Sequence, residues 1–156
     1  KIIIIYRNYK EKYDEKKIIL IKKFCKNVNK KFYLANDIKL TKKLNLDGAY
    51  IPSFNKRLSV KTLKNRNITL IGSAHNLKEI NEKKKQGMDI IVLSPIFRVS
   101  KSKNSLGAIR FNLLSRYIKL KIIALGGINT NNIKRLNMLN CNGFASISYL
   151  QKTILP

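Results

Sequence analysis

The chain has 156 residues, enough for one domain with a proper core, and a hydrophobic fraction of 44% excludes a disordered protein. Its 33 Lys and Arg against 8 Asp and Glu give a formal charge of +25, a balance that ordinarily points to nucleic acid or an anionic surface. Here Ile, Lys and Asn fill 67 of the 156 positions, and the lysines are spread over nearly every expected helix face. The charge therefore reads as compositional bias with solvated lysines, and nucleic-acid binding as incidental. An anionic small molecule suits the same charge. Cys25 and Cys141 lie far apart without metal-ligand spacing and are expected as reduced thiols. No apolar stretch is long enough to span a membrane and no signal peptide is visible, so the expected location is cytoplasmic. The first residue is Lys rather than Met, which reads as an excerpt of something longer.

Taken in chain order, apolar runs alternate with helically spaced, Lys-rich stretches. The runs are IIIIY at 2–6, KFYLA at 31–35, GAYI at 48–51, ITLIG at 68–72, DIIVL at 89–93, KIIAL at 121–125 and GFASI at 143–147. Helical spacing is found at 18–24, 38–46, 76–86, 111–118 and 131–139. Short runs that are apolar on both faces, set between amphipathic helices, indicate parallel strands covered by helices. An open doubly wound sheet and a closed barrel both satisfy this pattern. Seven regular units with no switch in style favour the barrel. A complete barrel usually needs about 250 residues. The expected fold is therefore α/β, a TIM-type (β/α)8 barrel lacking its first βα unit, as a single domain over residues 1–156.

In such a barrel the site lies at the carboxyl ends of the strands and the opposite face serves stability. Asp47 and Asp89 precede strands and belong to the stability face. Asp37 follows one, alone among the acids. The expected active face also holds Arg7, Asn36, Ser53, Asn55, Ser73, His75, Ser94, Arg98, Lys101, Lys103, Gly126, Gly127, Asn129 and Ser148. That set is rich in hydroxyls, amides and cations and poor in bases, which suits phosphorylated ligands better than proton abstraction.

The pair Gly126-Gly127 ends an apolar run and allows close backbone approach, either for a phosphate held by backbone N–H groups or for a tight turn. A valine at Gly127 is expected to occupy phosphate space at a small cost in stability. Asn36-Asp37 reads as a helix cap or as part of a Mg²⁺ site completed by substrate oxygens and water. His75 follows a strand without a carboxylate partner and reads as structural. The stretch Ser100 to Lys103 lies in a loop long for this architecture, either a ligand clamp or a flexible charged segment.

Five segments, in order and spacing, resemble the thiamine phosphate synthase family, including its thiazole tautomerase (TenI-like) branch. They are NDIKLTKKLNLDGAYI, IGSAHNLKEINEKKKQGMDII, the strand exit VLSPIF, IIALGGINTNNI and NGFASISYL. The resemblance implies a transferase of thiamine biosynthesis that joins an aminopyrimidine pyrophosphate to a thiazole phosphate, with Mg²⁺ as cofactor. Pyrophosphate departs first and the thiazole nitrogen captures a pyrimidine cation. By the same resemblance Arg7, Asn36, Ser73, Ser102 and Lys103 serve the reaction, Asp37 holds the metal, and Gly126, Gly127, Ile147 and Ser148 cradle the thiazole phosphate.

The departures bear on function. Ile5 and Tyr9 stand where the family pattern has Gln and Lys, and Asn55 stands where it has a second metal carboxylate. Pro95 stands where the tautomerase branch has histidine, which favours the synthase pattern. The alternative is an impaired TenI-like homologue that binds a phosphorylated thiazole or pyrimidine without turnover. A barrel short of one strand leaves two edges, which invites a homo-oligomer.

Overall fold

A computed structural model describes residues 2–99, 104–147 and 149. Every apolar run expected as a strand forms one. The strands are β1 (Ile3–Tyr6), β2 (Lys31–Ala35), β3 (Gly48–Ile51), β4 (Thr69–Ala74), β5 (Ile90–Leu93), β6 (Lys121–Leu125) and β7 (Gly143–Ala145). All pair in parallel with their neighbours in sequence, so the sheet order is β1-β2-β3-β4-β5-β6-β7. Among the described residues four α-helices intervene: α1 (Glu15–Asn27), α2 (Ile38–Lys43), α3 (Leu77–Lys85) and α4 (Gly107–Ser115). Asp14, Asp37 and Asn76 cap the first three, each accepting a backbone N–H of the first turn. No helix among the described residues is long and apolar enough to cross a membrane.

Two crossovers are 3₁₀ rather than α-helical, and a helix was expected only at the second. Residues 58–66, which carry no α-helical spacing, form a 3₁₀ helix (Leu58–Arg66). Its buried Val60 and Leu63 are three residues apart, the spacing that aligns side chains on a 3₁₀ rather than an α-helix. The helix expected over 131–139 is instead a short 3₁₀ helix (Ile133–Met138). The Asn129 side chain accepts the N–H groups of Asn131 and Asn132, and the Asn132 side chain accepts that of Asn129. These bonds capture the amides that would open an α-helix.

The sheet buries both faces. One packs on the helices, with Ile18, Phe32, Leu34 and Leu40 in one cluster and Leu70, Ile80, Leu93 and Phe111 in another. The other face gathers Tyr33, Ala35, Tyr50, Ile71 and Val92 with Ile3, Ile5, Ile123 and Leu125. Among the described residues no helix covers this second face, yet Tyr33, Tyr50, Ile71 and Val92 are buried. Strands that bury such a face without a second layer must curl around it, as in a barrel wall.

Register is clamped at the amino ends of the strands. Asp47, just before β3, accepts the N–H of Phe32 in β2. Asp89, just before β5, accepts the N–H of Leu70 in β4. Asn142, just before β7, accepts the N–H of Ile122 in β6. Burial would raise the Asp47 carboxyl, but the Lys31 ammonium and the Phe32 amide outweigh it and hold the group below its ordinary value.

At the other end, a buried cation holds the loop that follows β3. Lys83 of α3 is fully buried and its ammonium donates to Pro52 O and Asn55 O at 2.7 Å and to Gln86 Oε1 at 2.8 Å. Gln86 Nε2 donates to Asn55 O and Arg57 O. Gly72 permits this approach, because a Cβ there would lie 2.8 Å from Lys83 Cδ. Burial pushes the Lys83 ammonium down to about 8, partly opposed by Glu82 and Glu79.

Two outcomes follow for stability. Asp47→Ala should lower unfolding free energy by about 1–3 kcal/mol in urea, since it strands a half-buried amide. The folded state holds the Lys83 proton less tightly than the unfolded chain, whose ordinary lysine value is 10.5. Stability owed to Lys83 therefore rises with pH from about 8 toward 10.5. Relative to Lys83→Met, the native protein should gain roughly 1–2 kcal/mol between about pH 8 and pH 9.5 in urea titrations. A constant difference would show that the ammonium is not penalised by burial.

Candidate active site

The carboxyl ends of β1, β2 and β3 bring their polar residues into one connected set. Arg7 follows β1 in step with Ile3 and Ile5, which face the interior. Its guanidinium lies over the Tyr9 ring, 5.7 Å from the centroid, and that ring meets Phe54 edge-on at 5.5 Å. Burial pushes the Tyr9 phenol well above its ordinary value, reinforced by Tyr50 and opposed by Arg7. The phenol is neutral at physiological pH.

Asn36 follows β2 in the left-handed region, at φ 62°, a conformation asparagine tolerates better than most residues. Its N–H donates to Tyr50 O, and its Oδ1 accepts from Asn55 Nδ2 at 2.7 Å. Asp37 uses Oδ1 to cap α2 through the Leu40 N–H; its Oδ2 has no partner among the described residues. The cap reading of Asn36-Asp37 is thus realised, and one carboxylate oxygen is left over.

Ser73 lies on β4 in step with the interior residue Ile71. It is 4% exposed, and its hydroxyl has no partner among the described residues. His75, by contrast, is engaged by protein: its Nδ1 lies 2.6 Å from Ser94 O, and its backbone N–H donates to Glu79 Oε2. That agrees with a structural histidine.

Gly126 and Gly127 follow β6 at φ 103° and 69°. Their first close neighbour is protein. A Cβ at Gly126 would lie 2.8 Å from Pro95 Cβ, and one at Gly127 would lie 2.5 Å from Arg98 O. The pair lets the β6 exit pack against the loop after β5, with Ile96 N–H and Phe97 N–H donating to Leu125 O and Gly126 O. The expectation that valine at Gly127 costs little stability is corrected by this contact, since the side chain would collide with backbone. The N–H groups of Gly127 and Ile128 find no acceptor among the described residues, and Asn132 fixes the turn by donating to Gly127 O at 2.7 Å. Ile147 is 62% exposed. Ser102, Lys103 and Ser148 lie outside the described residues.

A groove of about 900 Å³ opens beside the Asn36–Asn55 pair, between α2 and the Leu58–Arg66 helix. Its cations, Lys39, Lys42, Lys56 and Arg57, escaped the sequence reading because nothing in a Lys-rich chain marks which lysines share a concavity. Lys83 escaped for the same reason, although its position three residues after the buried Ile80 was an available signal. Tyr50, an interior tyrosine beside this set, was read only as part of an apolar run.

Residues 2–150 match the family described as Thiamine monophosphate synthase. A thiamine-phosphate synthase of Prochlorococcus marinus subsp. pastoris is 31% identical over 155 residues, covering 94% of this chain and 44% of that protein. One from Oceanobacillus iheyensis is 27% identical over 139 residues, covering 85% and 66%. The chain thus spans less than half of the first relative and about two thirds of the second. Among solved structures, thiamine phosphate pyrophosphorylase from Pyrococcus furiosus superposes with TM-score 0.72 at 16% identity, over 92% of this chain and 69% of that one. A FabK mutant from Thermotoga maritima superposes with TM-score 0.73 at 13% identity, over 88% and 51%, so superposition speaks for the barrel fold alone. The match over residues 2–150 carries the assignment further than the fold does: this chain belongs to the thiamine monophosphate synthase family.

Proposed function

We propose that residues 1–156 form one synthase-type barrel domain that joins an aminopyrimidine pyrophosphate to a thiazole phosphate, releasing pyrophosphate. The observation that carries this reading is the base-poor mouth, where Arg7, Asn36, Asp37 and Ser73 gather at the ends of β1, β2 and β4 in a chain of this family. A displacement that begins with departure of pyrophosphate asks the protein for positioning and charge stabilisation rather than for a strong base.

Each residue has a part it can play. Arg7, oriented by the Tyr9 ring, supplies positive charge to the departing pyrophosphate. The Ser73 hydroxyl, free among the described residues, donates to an oxygen of the same group. The Gly127 and Ile128 amides are left to receive the thiazole phosphate. Asp37 Oδ2 is the oxygen that would hold Mg²⁺, and the donor set fits the ion through one carboxylate together with substrate oxygens and water. Among the described residues no three His, Cys, Asp or Glu gather around it. When bound, the ion would neutralise charge on the pyrophosphate oxygens.

The second reading, a homologue that binds without turnover, is favoured by Asn55. This amide donates to Asn36 where the family pattern has a carboxylate. Product formation decides between the two. Incubation with both precursors and Mg²⁺ should yield thiamine monophosphate and pyrophosphate in equal amounts; thiazole phosphate binding without product would establish the second reading.

Two variants of this assay probe the assigned parts. Asp37→Asn keeps a competent helix cap but removes the charge, and should lower kcat about 100-fold or more with thermal stability nearly unchanged. Thiazole phosphate should bind at least about tenfold more tightly than the corresponding thiazole alcohol in calorimetry, because the phosphate dianion meets two amides that have no acceptor among the described residues. Equal affinities would reduce the glycine pair to a packing turn.

A further inference from the structure

We propose that Lys83, buried beneath the loop that follows β3, is a positioning residue for the mouth: it acts through the backbone of that loop to hold the Asn55 side chain against Asn36. The proposal rests on the reading that Arg7, Asn36, Asp37 and Ser73 receive the aminopyrimidine pyrophosphate. It adds a residue outside the mouth on which that reception depends.

The loop needs an anchor. Residues 52–57 run from the end of β3 to the Leu58–Arg66 helix without regular structure, and no side chain between Pro52 and Val60 is buried. Packing of side chains therefore cannot fix this segment, and its backbone groups are what remains to hold it. Lys83 Nζ donates to Pro52 O and Asn55 O at 2.7 Å. Gln86 Nε2 donates to Asn55 O and Arg57 O at 2.9 and 3.0 Å. The two side chains are joined by the bond from Lys83 Nζ to Gln86 Oε1 at 2.8 Å. Three N–H groups thus meet three acceptors, the full donor capacity of an ammonium. Burial lowers the Lys83 pKa only to about 8, so the group is charged at neutral pH and gives all three.

The sheet itself does not ask for this charge. A buried ammonium is costly, and its three hydrogen-bond acceptors are all neutral. An apolar side chain of similar length would pack against Gly72, where the Lys83 stem and Met88 now meet, without that cost. What the ammonium adds is its hold on the loop carbonyls.

From the loop, one further bond reaches the mouth. Asn55, held at its carbonyl by Lys83 and Gln86, uses its side chain in two directions. Its Oδ1 accepts the Arg57 N–H at 2.9 Å, and its Nδ2 donates to Asn36 Oδ1 at 2.7 Å. The Asn36 backbone is fixed independently by donating to Tyr50 O. Its side chain has Asn55 as its one partner among the described residues, which leaves the Asn36 Nδ2 group to donate to a ligand. Holding that amide in place before the ligand arrives lowers the ordering cost of binding. The Gly127 and Ile128 amides follow β6 and bond neither to Lys83 nor to this loop. Loss of the anchor should therefore be felt by one substrate and not by the other.

The test is a double-mutant cycle read by titration calorimetry with aminopyrimidine pyrophosphate and Mg²⁺, on the native chain, Lys83→Met, Asn55→Ala and the double variant. Each single variant should weaken binding at least about fivefold, and the double variant should lose less than about twofold beyond Asn55→Ala, because residues acting in series do not add. Thiazole phosphate should keep its affinity within about twofold in Lys83→Met, and Lys84→Met, altered at the exposed neighbouring lysine, should match the native chain with both ligands. A merely structural lysine would weaken both ligands through the unfolded fraction and add its loss to that of Asn55→Ala. Either result overturns the proposal, and so does a native chain that does not bind aminopyrimidine pyrophosphate. Where urea melts show Lys83→Met unfolded, Gln86→Met takes its place in the cycle with the same expectations. Thiamine monophosphate formation by the same native sample separates the two readings: turnover with additive losses leaves the synthase reading standing and removes only this one. Coupled losses without turnover keep the role of Lys83 and assign the chain to binding without catalysis.

Discussion

One repeated hydrogen bond organises the molecule. Three times, the residue just before a strand turns its side chain back and accepts the N–H of the residue opposite it in the preceding strand. Asp47 does this for Phe32, Asp89 for Leu70 and Asn142 for Ile122. In each case the donor is the second residue of its strand, and the acceptor stands level with it in the parallel ladder. A one-residue slip would turn every interior side chain outward. Because the three clamps sit at the amino ends, they fix register where nothing else is needed and leave the carboxyl ends to be spent on polar residues. Arg7, Asn36, Asp37 and Ser73 can then stand at the mouth without any of them being required to hold the sheet together.

The division between ends was legible because it depends on strand direction, which the order of apolar runs and helical stretches already encodes. Asp47 and Asp89 were placed on the stability face by sequence position alone, and each proves to be a clamp. Asn142 was not recognised as the third, since an asparagine in an Asn-rich segment carries little information by itself. The boundaries of β2, β3 and β6 coincide with their apolar runs. The crossover over 58–66 was missed because 3₁₀ spacing at Val60 and Leu63 supplies only two buried positions, too few to stand out from a run of Lys and Asn.

The glycine pair shows where sequence reasoning stops. Two glycines at a strand exit announce a close approach of backbone to something, and the sequence cannot say to what. Packing supplies one answer, the loop from Pro95 to Arg98. The amides of Gly127 and Ile128, without an acceptor among the described residues, leave room for the other, and the two uses are compatible: the contact that demands glycine also aims the turn. Lys83 illustrates a similar limit. Three consecutive lysines, Lys83, Lys84 and Lys85, look alike in sequence, yet only the first is buried, because Gly72 leaves space for it and the β3 loop offers it carbonyls.

The central claim is that stability and ligand binding occupy opposite ends of one parallel sheet. Amide chemical-shift mapping of the isotopically labelled chain during titration with thiazole phosphate tests it most directly. Shifts should cluster after the strands, at Arg7, Asn36, Asp37, Ser73 and the turn from Gly126 to Ile128, while the clamped amides of Phe32, Leu70 and Ile122 stay unmoved. Shifts at those clamped amides, or shifts scattered evenly over the lysine-bearing surface, would contradict it.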